Sequence, residues 1–445
     1  MIAIVYLILS GFLVYVAARR ATLIAPVTVW NLYLFLSLLV YEWIVLTGLS
    51  RKESVFSSMP LDLVAIPYHT TYLFFLAMQL FALTALIGLP KPKSWLFFDA
   101  SSILKYAKYI CGGSALLVLA GFWLLSAIHF ASINLEVLWL NFEYKTIKDP
   151  VGIGATGVFA RIYHFGFRFV GLAAVAAGVI YYHRGAWLHL ILTLGLISYS
   201  LLFLLADNSR WVPVYFAAAA VVNYVVSKRP LGILTWLNSL LVFVTFAKVL
   251  SDRSNPQQGV STIMEGFGNL SLSNLVAYIE GFFTNLFPAA LNFANSVVID
   301  GTHGVAYKIA SFSPLPGFID NFQAIDFKYQ IKLAPTVPMG AYGEVYLFGW
   351  AYMLLFFSIA FYWLRIVTRL IINRLDASAL ILVILSYYFI VKLGSYAVRQ
   401  SWRLMLIVIV VAVILEANRR SVARRESRRH RRLVAAQAAV SRSEA

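Results

Sequence analysis

A single cysteine, Cys111, rules out any disulfide within the chain, and its place inside an apolar run suits a small core residue. Charge is scarce as well. Asp, Glu, Lys and Arg make up 12% of the 445 residues, about half the share of a water-soluble domain. Acidic residues are the scarcer sign, 19 against 36 basic ones, which leaves a formal net charge of +17. No GxxxxGK[ST] run is present to cradle a nucleotide phosphate. His164 and His303 lack ligand spacing with other His, Cys or carboxylates, so no metal and no other cofactor is expected. Internal repeats are absent too. These absences exclude a soluble globular protein, a disordered chain, a collagen and a disulfide scaffold.

What remains is apolar, 61% of the residues. Apolar runs fall near 2–18, 22–49, 71–89, 110–130, 158–181, 186–205, 212–226, 231–250, 345–367, 379–396 and 405–416. Most are long enough to cross about 30 Å of hydrocarbon as helices, and barrel strands would be about half that length. The expected fold is therefore an all-α polytopic integral membrane protein of about eleven transmembrane helices. The segment 379–416 is too long for one span at about 1.5 Å per residue, so a break is required near 394–402. The first run has Arg19 and Arg20 after it and no basic residue before it, the reverse of a cleaved signal. A retained helix with its N-terminus outside is expected. From that start, 21 of the 36 basic residues fall on inner connectors and on a tail over 418–445, in keeping with the positive-inside rule. The membrane domain is read as 1–417, with outer loops at 50–69, 131–157 and 251–342. In the last loop Leu272, Leu275, Val276, Ile279, Phe282, Phe283, Leu286 and Phe287 form an apolar stripe suited to a helix in the interface.

The other fifteen basic residues lie on the outer side or inside the spans. An arginine at the bilayer centre costs about 3 kcal/mol or more, so it faces a protein interior or a wet cavity. Arg161, His164 and Arg168 share one face of the fifth helix by their i, i+3, i+7 spacing. Lys392, Tyr396, Arg399 and Arg403 share another face if their helix is continuous. Arg210 stands at the outer mouth between two spans, with Asp207 and Glu344 as the nearest acidic partners in view. Snorkelling or ion-paired arginine at helix ends is the simpler account of any one of them. Five arginines on the same side with few carboxylates point instead to an electropositive cavity. Arginine suits a phosphate or pyrophosphate there, because its fork makes bidentate bonds and keeps its charge.

Four stretches then resemble the Wzy-type polymerases of bacterial surface polysaccharides, relatives of the O-antigen ligases. They are Val158-Phe159-Ala160-Arg161, Asn208-Ser209-Arg210, the run from Pro335 to Gly349, and Ser395 to Arg403. The family's Gly-Glu-x-Tyr-x-x-Phe-Gly pattern reads here Gly343-Glu344-Val345-Tyr346-Leu347-Phe348-Gly349, one residue shorter. The resemblance covers roughly residues 150–410 in order and spacing, and only hydropathy matches before that. It implies an enzyme of the bacterial inner membrane, N-terminus periplasmic and C-terminus cytoplasmic, that joins undecaprenyl-pyrophosphate-linked oligosaccharide repeat units at the periplasmic face. A sugar hydroxyl attacks the anomeric carbon of the growing chain and undecaprenyl pyrophosphate leaves. Arg161, Arg168, Arg210, Arg399 and Arg403 would hold the leaving group without a metal, since the donor already stores the energy.

His303, Glu344 and Asp207 are the candidates for a base at the attacking hydroxyl. The simpler account of His303 is an exposed loop histidine. For Glu344 it is an ion-pair partner of Arg210 or Arg399. Eight arginines between Arg419 and Arg432 would hold the tail inside and touch anionic membrane lipid. A chain-length regulator protein is a further partner that the resemblance leaves open, and nucleic acid is not expected at a segment pinned to a membrane. Two other functions stay open. One is a ligase that moves finished glycan; the other is a flippase or transporter, which should show internal repeats.

Overall fold

In the computed structural model the described residues are 2–21, 25–47, 68–90, 111–131, 139, 157–206, 211–227, 233–251, 261, 283–284, 286–299, 301–315, 322–330, 339–373, 377–418 and 421. Among them every regular element is helical. The helices are α1 (Ile2–Arg20), α2 (Pro26–Thr47), α3 (Tyr68–Thr84), α4 (Gly113–Ala131), α5 (Gly157–Arg184), α6 (Trp187–Ala206), α7 (Trp211–Ser227) and α8 (Ile233–Ser251). There follow α9 (Ala289–Val298), α10 (Val305–Ser311), α11 (Phe322–Tyr329), α12 (Gly340–Phe348), α13 (Trp350–Asn373), α14 (Ala377–Ser395) and α15 (Val398–Asn418).

Ten of the eleven expected apolar runs each coincide largely with a single helix, and the run 345–367 is shared by α12 and α13. Seven helices, α1, α2, α4, α5, α6, α13 and α15, contain stretches long and apolar enough to cross a membrane among the described residues. Their outward side chains suit lipid rather than water: Ile8, Leu117, Ile191 and Trp350 are large, apolar and exposed. The chain is a polytopic helical membrane protein.

One expected span is corrected. The run 345–367 is not one helix, because Gly349 adopts φ 101, a conformation that L side chains rarely adopt, and divides α12 from α13. The break expected near 394–402 falls at residues 396 and 397, so α14 ends at Ser395 and α15 begins at Val398. Lys392, Tyr396, Arg399 and Arg403 therefore do not share one continuous face; only Arg399 and Arg403 do. Lys392 stays on α14 with its ammonium 3.1 Å from the centroid of the Tyr396 ring. Most of the apolar stripe at 272–287, and the tail beyond residue 421, lie outside the described residues.

The chain forms two compact units, 99–285 and 1–98 with 286–445. In the first, α4 to α7 pack around Phe167, Val175, Phe203, Leu204, Val212 and Tyr215, and α8 packs against α7. Two of its histidines meet uncharged side chains: His129 Nδ1 lies 2.6 Å from Tyr199 Oη, and His183 Nε2 lies 2.8 Å from Asn223 Oδ1. Hydrogen bonding of this kind lets polar side chains stay in spans without charge.

The second unit has an aromatic core. Trp30 and Trp363 are fully buried against Phe389, and Phe74 stacks on Phe293 at 4.1 Å. Ser10, Gln79 and Asn31 join α1, α2 and α3 through bonds of 2.7 and 2.9 Å. Helices α9 and α12 lie inside this unit, where Ala289–Ser296 and most of Gly340–Phe348 are buried. Gly340, at φ 69, meets the backbone of Gly394 on α14, and a methyl group on Gly394 would strike the Tyr33 hydroxyl. Asn292 Nδ2 donates to the Gly394 carbonyl at 3.0 Å. This close crossing fixes α12 beside the start of α15.

Candidate functional site

Three helix ends meet around α10, and each carries the side-chain charge that its dipole favours. Glu344 of α12 accepts the backbone N–H of Val398, the first residue of α15, at 2.7 Å. Lys308 of α10 donates to the carbonyl of Phe348, the last residue of α12, at 3.1 Å. Arg399 of α15 donates to the carbonyl of Ala310 near the end of α10, and to that of Leu315 at 2.8 Å. A carboxyl sits at a helix N-terminus and cations at two C-termini, so groups left over from three helices are satisfied at one junction.

Glu344 is fully buried, and its other oxygen accepts from Tyr307 Oη and Gln330 Nε2, both at 3.0 Å. Gln330 also donates to Tyr307 Oη at 2.8 Å. Burial pushes the carboxyl up to about 7; the Val398, Gln330 and Tyr307 bonds oppose that rise and the Asp326 carboxylate adds to it. Tyr307 is held well above its ordinary range, first by burial and then by the Glu344 and Asp326 carboxylates. The carboxyl can thus gain or lose a proton near neutral pH, a property that suits general-base work.

His303 is 2% exposed, which corrects the picture of an exposed loop histidine. It precedes α10, its ring stacked on Tyr307 at 5.0 Å and edge-on to Phe348 at 5.1 Å. Its neighbours Gly301 and Thr302 are exposed, so the imidazole lies close beneath the surface. Arg399 is 3% exposed, with its guanidinium 3.9 Å from the centroid of the Phe322 ring. Arg403, one turn on, is half-buried and directs Nε to the Ser313 carbonyl at 3.5 Å.

His303, Glu344, Arg399 and Arg403 are thus brought together across a hundred residues of chain. Glu344 is not held by an arginine: its partners are Val398, Tyr307 and Gln330. Arg399 is committed to backbone carbonyls, and its position is that of a strut that orders the segment 310–315. Arg168 belongs to the other unit, where it is half-buried beside Phe167 and its carbonyl accepts from Tyr215 Oη at 2.8 Å. Arg161 lies on α5 and its side chain is outside the described residues; Asp207 and Arg210 are outside them altogether.

Sequence reasoning missed Tyr307, Gln330 and Lys308 as members of the junction. Lys308 carried one signal, a charge on an outer loop with no carboxylate near it in the chain. Tyr307 and Gln330 carried none, since a tyrosine and a glutamine in a loop are unremarkable until a buried carboxylate needs donors. Among the described residues no three of His, Cys, Asp or Glu gather as metal ligands.

The fold and the junction define a polytopic helical membrane protein with a buried, titratable carboxyl beside a histidine and two arginines. The chain matches no family model, no curated protein and no solved structure.

Proposed function

We propose that this protein is a polysaccharide polymerase that extends a glycan carried on undecaprenyl pyrophosphate at the outer face of a bacterial inner membrane. The observation that carries the reading is the gathering of His303, Glu344, Arg399 and Arg403, from three separate stretches, around a carboxyl poised near neutral pH. Three of the four belong to the motifs that resemble the family.

In this reading the hydroxyl oxygen of one lipid-linked unit forms a bond to the anomeric carbon of the other. The bond from that carbon to the pyrophosphate oxygen breaks, and the hydroxyl proton passes to a base. His303, nearest the surface, is the stronger choice for that base. Glu344 then acts through Tyr307, against which the His303 ring is stacked, and orders the pocket from beneath. Asp207 remains a candidate without a described environment. Arg403, half-buried one turn beyond Arg399, is the pyrophosphate ligand we assign in this unit; Arg161, Arg168 and Arg210, which belong to residues 99–285, are candidates from the sequence alone. Arg399 shapes the segment on which the ligand would rest. Charge that develops on the leaving pyrophosphate is met by fixed guanidinium groups, which lowers the barrier without a nucleotide or a metal.

Deletion of the protein in its host tests the reading. A polymerase is supported by single repeat units transferred to the final acceptor. Full-length polymer that accumulates on the carrier lipid would favour the ligase reading instead, and an unchanged glycan would remove both.

A further inference from the structure

In the unit that holds the junction, the outward face of α10 is explained by neither packing nor chemistry. One face of this helix is built for burial: Tyr307, Ala310 and Ser311, at i, i+3 and i+4, are buried. The opposite face carries Val305, Ala306 and Ile309, all exposed, Val305 by 66% and Ile309 by 62%. A surface helix in water carries polar or charged residues on its outward face. Here that face has none. Lys308 lies at the flank, half-buried, and turns back to the Phe348 carbonyl.

The depth of α10 follows from what its end touches. Two helices long and apolar enough to cross a membrane, α13 and α15, meet it there. Arg399, the second residue of α15, holds the Ala310 carbonyl. The ring of Phe312, just past α10, lies 5.0 Å from that of Trp402 on α15 and 5.8 Å from that of Tyr352 on α13. Tyr352 and Trp402 are the third and fifth residues of their helices. At about 1.5 Å per residue, α10 is therefore level with the first turn or two of both. At the same level Trp350, the first residue of α13, is 74% exposed, the usual place of an aromatic ring at a membrane boundary. Leu354 and Leu355 continue that exposed apolar surface along α13.

We infer that α10 is seated in the boundary layer of the bilayer, with Val305, Ala306 and Ile309 turned to lipid chains. Its partner is the lipid itself, because the exposed apolar surface of α13 begins at the same level and an apolar face there gains from hydrocarbon what it loses in water. The face carries no charge, so it selects no headgroup. His303, just before α10, then lies at the lipid surface, where a ligand held in the membrane reaches it without leaving the bilayer. None of this depends on the proposed reaction; it rests on where α10 lies and what it exposes.

Fluorescence quenching of the full chain in phosphatidylcholine vesicles tests the seating. With Cys111→Ser as background, Ile309→Cys is labelled with a bimane, and Leu354→Cys, on the exposed face of α13, serves as the lipid reference. Phosphatidylcholine that bears a nitroxide near the headgroup end of one chain should remove about half or more of the emission at residue 309, within about twofold of its effect at residue 354. Iodide on both sides of the membrane should quench neither label. Val305→Cys, on the same face, repeats the measurement if Ile309→Cys alters thermal unfolding. A label on this face that iodide quenches and the nitroxide does not would place α10 in water and overturn the inference. So would a label that neither quencher reaches, since another segment or a second copy would then cover the face.

Discussion

The two compact units solve the same problem, polar groups inside an apolar protein, in different ways. In the unit of residues 99–285 the described side-chain pairs join a histidine to a tyrosine or an asparagine, one bond at a time. The unit of residues 1–98 and 286–445 adds to such pairs a buried carboxyl and a buried guanidinium, each with several partners and both engaged at helix ends. The first arrangement is cheap and tolerant. The second couples three helices through one carboxyl, so it is costly to disturb and responsive to pH.

The largest expected effect is that of Glu344→Ala. It strips the acceptor from Val398, Tyr307 and Gln330 at once, and buried orphaned donors cost roughly 1–3 kcal/mol each. A loss of about 4 kcal/mol is expected in the stability of the detergent-solubilised protein, read by thermal unfolding. Glu344→Gln keeps an acceptor oxygen and should cost less than half as much. A loss under about 1 kcal/mol for the alanine variant would show that the two units do not differ in kind.

Next in size is a pH effect. The folded carboxyl of Glu344 is raised from 4.5 to about 7, so between those values the folded state binds more protons than the unfolded one. Stability from this group is thus fully present below about pH 4.5 and is lost as pH rises toward 7, by an amount on the order of 3 kcal/mol. Glu344→Gln should flatten this contribution. A slope of the opposite sign that depends on residue 344 would mean that the carboxylate, not the acid, is the better-held form.

A smaller effect is expected at the crossing that sets Glu344 beside α15. Gly394→Ala places a methyl group against the Tyr33 hydroxyl and should cost about 1–3 kcal/mol, typical of overpacking in a full core. The smallest belongs to the other unit. Tyr199→Phe removes one hydrogen bond to His129 and should cost about 1 kcal/mol in thermal unfolding.

The helices were legible in the sequence because lipid imposes a simple rule, and a run of apolar residues announces itself. The break before Val398 was legible from length alone. The division at Gly349 was not, since a glycine inside an apolar run looks like any other until its φ is known. At the site, Glu344 and Arg399 stood out as charges in apolar surroundings, but their roles could not be read. Pattern suggested an arginine that waits for a phosphate, whereas Arg399 donates to the carbonyls of Ala310 and Leu315. Backbone acceptors at helix ends leave no mark in a sequence. Nor do Tyr307 and Gln330, which matter only because a buried carboxyl from 14 or more residues away needs their protons.

The most direct test of the central claim is reconstitution. Purified protein in lipid vesicles is given an undecaprenyl-pyrophosphate-linked oligosaccharide repeat unit, with a chelator present and no nucleotide, and the products are separated by size. The account predicts a ladder of increasing repeat number, reduced at least a hundredfold in rate by Arg403→Ala, a loss of about 3 kcal/mol in transition-state stabilisation. Recovery of the unaltered single unit, or a ladder that Arg403→Ala leaves at full rate, would contradict it.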